Sequence, residues 1–231
     1  MKNFAKEKPT DILAGRIKYT TEQFVDIKNI RNKCVLNIGC GFGWFENFAL
    51  QNNVKQIVAL EPLENDLSTI KKYINNKKLS CMVGSALELK FPDESFDTVC
   101  AWEVLEHVPK GTENVMFNEI KRVLKKEGIF YMSTPYNNII SKLLDPAWYI
   151  IGHRHYSFEQ LKQYTAEVGF QVDKYDQRGG WWELIFMLNL YVAKWVFKQP
   201  PFYRTFFRRM LDNEYAKDKG FSNVFLKCIK K

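Results

Sequence analysis

The stretch VLNIGCGFGWFE, Val35 to Glu46, sets three glycines two residues apart directly after an apolar, β-branched run. A strand that ends in small residues and turns into a helix presents free backbone N–H groups, and glycine lets a ligand approach without a Cβ in the way. Gly39, Gly41 and Gly43 supply such a turn. The dinucleotide fingerprint GxGxxG asks for a third glycine that permits close helix packing. Counted from Gly39 that position is Trp44, so the fingerprint fails. Glu61 closes the next apolar run, QIVALE, where the second strand of a nucleotide-binding sheet places a carboxylate for both ribose hydroxyls. The predicted ligand carries a ribose and needs no pyrophosphate.

Outward from this turn, short apolar runs alternate with longer stretches of helical spacing. CVLNIG, QIVALE, LSCMVGSA, FDTVCAW and GIFYMSTP read as strands, and ENVMFNEIKRVLKK reads as a helix. The alternation implies βαβ units and a parallel sheet. SFEQLKQYTAEVG, with serine at its start and glycine at its end, predicts a further helix, and FQVDKYDQ and SNVFLKCIKK predict two last strands. The 231 residues suit one domain, 1–231, with 46% hydrophobic and 26% charged residues marking it as globular. A net charge of +8 favours an anionic partner, nucleic acid or membrane surface. Five cysteines, none in a CxxC pair, read as reduced core residues, and MKNFAKEKPTDILAGR has no apolar run of a secretory leader, so a cytoplasmic location is expected.

The motifs VLNIGCGFG, ALEP, VGSALELKFPDESFDTVCAWEVLEHV, NEIKRVLKKEGIFYMSTP and HRHYSFEQLKQYTAEVGF resemble those of class I S-adenosylmethionine-dependent methyltransferases, over about Cys34 to Phe170. The resemblance implies a Rossmann-like α/β fold: a doubly wound, mostly parallel seven-stranded sheet with its last strand antiparallel. It implies that the glycine turn, with Asn37, Gly39, Cys40, Gly41 and Gly43, holds the methionine part of S-adenosylmethionine. Glu61 is implied for the ribose, the loop with Ser85, Ala86 and Leu87 for the adenine, and Pro62 and Trp102 as further cofactor-binding residues. Two positions depart from the pattern: Asn37 and Ser85 stand where the family usually has aspartate. Both side chains can hydrogen-bond but bring no charge, which lowers the expected cofactor affinity.

WEVLEHV contains Glu103, Glu106 and His107, and a helix would set Glu103 and His107 one turn apart. The other two histidines, His153 and His155, lie together in GHRHYS. Carboxylates and neutral imidazoles can share Mg²⁺, Mn²⁺ or Zn²⁺, and such an ion lowers the pKa of a bound hydroxyl. Without metal, His107 can act as general base for that hydroxyl. The ExxEH pattern with a later histidine is similar to that of small-RNA 2′-O-methyltransferases and ubiquinone-pathway O-methyltransferases, which implies Glu103, Glu106, His107 and His155 as metal ligands. A metal site, a metal-free catalytic His107 and a structural role stay open together.

Residues 181–219 interrupt the last two strands. WWELIFMLNLYVAKWVF is too short and too charged for a transmembrane helix, and Lys198, Arg204, Arg208 and Arg209 follow it. It reads either as a helix in a membrane interface or as a lid over the substrate pocket. GRIKYTTEQF is a candidate to bring Arg16 or Tyr19 over the cofactor. Together these readings predict a methyltransferase for a hydroxyl on a small or lipid-linked acceptor, such as a glycan or quinone precursor. An RNA 2′-O-methyltransferase and a non-catalytic, cofactor-binding assembly protein are the alternatives.

Overall fold

The structure, a computed structural model, describes residues 8, 9, 13–150 and 152–231. Residues 1–7 and 10–12, on which part of the leader reading rests, lie outside the described residues. The described chain forms seven strands: β1 (Cys34–Ile38), β2 (Gln56–Glu61), β3 (Leu79–Val83), β4 (Phe96–Trp102), β5 (Leu124–Pro135), β6 (Phe170–Arg178) and β7 (Asn223–Lys230). Their order in the single sheet is β3-β2-β1-β4-β5-β7-β6. The first five pair in parallel, and β7 runs antiparallel to both β5 and β6. This is the doubly wound sheet expected from the alternating pattern. Strand order reverses at β1, between β2 and β4, so the carboxyl ends of these strands border the crevice where open α/β sheets bind ligands.

The helices are α1 (Gly15–Tyr19), α2 (Trp44–Gln51), α3 (Ser68–Tyr73), α4 (Glu113–Val123), α5 (Ile139–Leu144), α6 (Pro146–Ile150), α7 (Phe158–Glu167), α8 (Trp181–Trp195) and α9 (Arg204–Tyr215). Side chains alternate across a strand, so β1 feeds both faces of the sheet. Leu36 and Ile38 join Met116, Phe117 and Ile120 of α4 and Leu161 of α7 in one core. Val35 joins Tyr19, Phe45, Phe48 and Tyr215 in the other. α4 ends at Val123, three residues before the expected stop, because fully buried Leu124 already pairs with Phe96 of β4. At α7, Ser157 Oγ accepts the Gln160 N–H at 3.2 Å and Gln160 Oε1 accepts the Ser157 N–H at 2.9 Å, a reciprocal cap.

The segment between β6 and β7 holds α8 and α9. Gly180, just before α8, offers no side-chain cap, and the start of α8 is held by α9 instead. Glu214 Oε1 accepts the N–H groups of Gly180 and Glu183 at 2.8 and 3.0 Å, and Oε2 accepts that of Trp182 at 2.9 Å. A carboxylate there also meets the positive end of the helix dipole. Of the fifteen residues of α8 only Leu184 and Ala193 are buried.

Candidate active site

Gly39, Gly41 and Gly43 all adopt left-handed φ values, 68°, 54° and 86°. The first and third are fixed by packing as well: a Cβ on Gly39 would lie 2.5 Å from Val104 Cγ2, and one on Gly43 2.7 Å from Ile70 Cγ1. A Cβ on Gly41 would meet nothing within 4 Å, so the backbone is bare towards open space at that residue. Beside it, Glu61 Oε1 accepts the Gly41 N–H at 2.6 Å. Burial raises the Glu61 carboxyl above its ordinary range, while the Gly41 N–H pulls the other way. A bare turn with a carboxylate at its edge fits a ribose-bearing ligand. The Cys40 side chain is buried with Ala59, Leu67 and Ile70, and its thiol also hydrogen-bonds the Glu61 carboxylate.

The other cofactor positions expected from the sequence divide. Pro62 is exposed next to Glu61, and Ala86 and Leu87 are half-buried after β3. Ser85 is exposed, and its Oγ accepts the Leu87 N–H at 3.1 Å, so the loop is braced on itself. Trp102 is packed against Phe45 and Trp44, with its indole Nε1 buried and unpartnered. Asn37 does not reach the crevice. The pleat turns it beneath the turn toward α2, where it is 1% exposed and its Nδ2 donates to Glu46 Oε1 at 2.7 Å.

Glu46 was not anticipated from the sequence. Burial pushes its carboxyl up to about 8, against the stabilising Asn37 donor. The unpartnered Oε2 suits a carboxyl that keeps its proton near neutral pH. A buried acid whose folded pKa lies above its unfolded value of 4.5 contributes fully below the unfolded pKa, and that contribution is lost as pH rises toward the folded one. Glu46→Gln stays neutral throughout. In urea denaturation the variant is expected to match the wild type near the unfolded pKa and to exceed it by roughly 2–4 kcal/mol once pH passes the folded one. An unchanged difference across that window would show that Glu46 is not a buried acid of raised pKa.

WEVLEHV does not form a helical turn at its start. Glu103 has a φ of 55°, which turns the chain off the end of β4, and only Leu105–His107 form a short 3₁₀ turn. Arg154 clamps that turn by donating from Nη2 to the carbonyls of Leu105, at 2.8 Å, and of Val108. Glu103 faces away from His107: its Oε2 pairs with Arg16 Nη1 at 2.6 Å, and its Oε1 accepts from Ser133 Oγ at 2.6 Å. Arg16 therefore reaches the site from α1. Tyr19 does not, since its ring is buried against Phe24 and Phe225 and its hydroxyl pairs with Asp176 of β6.

His107 is exposed to the crevice and meets His153 instead, Nε2 to Nε2 at 3.2 Å. His153 Nδ1 lies 3.1 Å from Asp145 Oδ2, and that same oxygen lies 2.9 Å from His155 Nε2. Burial alone would raise the Asp145 carboxyl, but the bonds from His153 and His155 hold it well below the usual carboxylate range. As an acceptor, Asp145 requires a proton on His153 Nδ1. Its Nε2 then accepts from His107 Nε2–H, which leaves His107 Nδ1 with a free lone pair. Partial burial lowers the His107 pKa below its ordinary value, so the ring is neutral at physiological pH.

The expected ligand set Glu103, Glu106, His107 and His155 is not assembled in one place. Glu103 is held by Arg16, and both ring nitrogens of His155 face acceptors, Asp145 and the Tyr136 carbonyl at 3.2 Å. What converges is Glu106, His107 and His153, with one ligand atom from each within 4.8 Å of the others. Glu106 is buried, its Oε2 accepts from Thr134 Oγ1 at 2.9 Å, and its Oε1 has no partner and lies 3.9 Å from His153 Nε2. Burial, then Glu103, raises its carboxyl well above the ordinary range.

The methyltransferase-domain family matches residues 36–132, which span β1 through most of β5. The chain is 35% identical over 100 residues to sterol 24-C-methyltransferase erg6 of Aspergillus fumigatus, covering 42% of this chain and 26% of the relative. It is 27% identical over 108 residues to the tRNA U34 carboxymethyltransferase of Histophilus somni, covering 46% and 33%. The chain thus spans a minority of the length of these relatives. Among solved structures, an S-adenosylmethionine-dependent methyltransferase from Mesorhizobium loti superposes with a TM-score of 0.65 at 14% identity, over 94% of this chain and 99% of the other. The [4+2]-cyclase SpnF superposes with a TM-score of 0.60 at 18% identity, over 87% and 75%, so the fold alone does not fix the reaction. The domain matched over residues 36–132, the glycine turn, the Glu61 carboxylate and the sheet order together support a class I S-adenosylmethionine-dependent methyltransferase.

Proposed function

We propose that this chain transfers a methyl group from S-adenosylmethionine to an acceptor hydroxyl, with His107 receiving the hydroxyl proton. The observation that carries the reading is the chain of contacts Asp145–His153–His107, which ends in a neutral, crevice-facing imidazole. The cofactor supplies a methyl group already activated on a positively charged sulfur, so the protein's task is alignment and exclusion of water. Gly39 to Gly43 and Glu61 orient the cofactor, and Arg16 with Glu103 walls the crevice from α1. A hydroxyl is a weak nucleophile and gains most from a proton acceptor. The acceptor classes this fits are small or lipid-linked phenols and glycans. Five free cysteines, three of them buried, support an intracellular setting.

A second reading rests on the unpartnered Glu106 oxygen. Glu106, His107 and His153 offer a carboxylate and two imidazoles to a divalent ion such as Mn²⁺ or Zn²⁺, with Asp145 orienting His153 from behind. Such an ion would lower the pKa of an acceptor hydroxyl. Glu106 would have to give up the proton that its burial favours.

Turnover is followed as S-adenosylhomocysteine released with a panel of phenolic and glycan hydroxyl acceptors, with and without EDTA. Methylation that persists in EDTA is the result expected of the direct proton transfer. Loss in EDTA with recovery on Mn²⁺ would select the metal reading, and methylation of amines or thiols alone would overturn both.

A further inference from the structure

We propose that α5, α6, α8 and the 196–203 connection form one face that seats in the interfacial zone of a bilayer containing anionic lipid. Fourteen of the nineteen large apolar side chains exposed among the described residues fall between Ile139 and Phe206. They cluster in space as well as in sequence, since α5 packs on α8 and α8 on α9. Twelve of the fifteen residues of α8 are apolar, and only two of the fifteen are buried. Ile139 is 84% exposed, Leu143 66% and Val196 68%. A monomer in water rarely leaves so much contiguous apolar surface bare, and such a face marks a partner.

Charge selects the occupant. Across 139–150 and 181–210 the basic residues are Lys142, Lys194, Lys198, Arg204, Arg208 and Arg209, and the acidic ones are Asp145 and Glu183. Both acids are turned inward, Asp145 to its histidines and Glu183 toward Arg16 and Tyr215. The outer surface is therefore apolar and cationic, which matches acyl chains beneath anionic head groups. Trp148, Tyr149, Trp181, Trp195 and Tyr203 are exposed on it, the residue types that favour the boundary between hydrocarbon and water. No helix of the described residues is long and apolar enough to cross a membrane, so the face lies on the bilayer.

The face also borders the site. α6 is the link between Asp145 and His153, the Trp148 ring meets His155 edge-on at 5.5 Å, and the Asp145 charge is felt by Tyr191 of α8. Resting on the proposed hydroxyl methylation, this placement means that the acceptor enters from the lipid phase rather than from water.

The test is co-sedimentation of the full chain with vesicles of phosphatidylcholine, alone or mixed with phosphatidylglycerol. Binding to the mixed vesicles is expected to exceed binding to the neutral ones by about tenfold or more and to weaken with salt. Val196→Asp with Phe197→Asp is expected to reduce binding by about tenfold or more. Arg208→Glu with Arg209→Glu, on exposed positions, should remove only the preference for anionic lipid. S-adenosylhomocysteine titration of each variant checks that the fold persists. Failure of the wild type to sediment with mixed vesicles overturns the proposal, as does a dimer in sedimentation equilibrium that the Val196/Phe197 variant dissociates. Vesicle binding without turnover on any hydroxyl acceptor would remove the catalytic reading and leave the docking face standing.

Discussion

Alanine at His107 is expected to cut turnover about a thousandfold while S-adenosylhomocysteine binds as it does to the wild type. General base catalysis contributes roughly two to four orders of magnitude, and the oxygen acceptor cannot recruit another imidazole without rebuilding the site. His153, the neighbour at 3.2 Å, has Nδ1 turned to Asp145 and is set behind His107. The His107 ring is exposed and lies outside both hydrophobic cores that flank the sheet, so its removal should leave the melting temperature nearly unchanged. Two further readouts separate chemistry from structure. Added imidazole should restore part of the turnover in the alanine variant by filling the vacated space, and the Michaelis constant for the cofactor should not move. Turnover within a factor of a few of the wild type would end the assignment of His107 to proton transfer.

Alanine at Glu61 acts on the cofactor instead. The carboxylate ends β2 beside the bare Gly41 backbone and accepts that N–H at 2.6 Å, and it is the proposed acceptor for the ribose hydroxyls. Hydrogen bonds to a charged acceptor contribute about 1.5–3 kcal/mol each, so losing this anchor should weaken S-adenosylhomocysteine by on the order of 100-fold. The Gly41 N–H would also lose its partner and the turn its brace. Because burial raises the Glu61 carboxyl, wild-type affinity should decline on acidification at a higher pH than an ordinary glutamate would give. Equal affinity of the alanine variant and the wild type would move the ribose elsewhere.

The glycine turn and Glu61 were legible because they are local. A strand period, three glycines and a carboxylate at the end of the next strand lie within 27 residues, so the pattern can be read without the rest of the chain. The histidine site was only half legible. WEVLEHV read as a helix puts Glu103 beside His107, but leaving the end of β4 takes Glu103 into the left-handed region and turns its carboxylate to Arg16. Asp145, which orients His153, stands in an unremarkable LLDPAW at the junction of α5 and α6 and meets the site only through tertiary structure. Glu46 did leave a signal: a carboxylate in the otherwise apolar start of α2, nine residues from Asn37, whose missing charge it explains. An aspartate at 37 would face a second buried acid at 2.7 Å, whereas asparagine gives that acid a donor. In the sequence the apolar face could be traced only along 181–219, because α5 and α6 join it through tertiary packing.

Isothermal titration of the full chain with S-adenosylhomocysteine, in EDTA and again with Mn²⁺, tests the assignment to S-adenosylmethionine chemistry most directly. Saturable binding at one site, in the micromolar range or tighter, lost in Glu61→Ala and retained in His107→Ala, is the predicted result. No heat of binding in either condition, from protein that melts cooperatively, would contradict it and leave the glycine turn without a ligand.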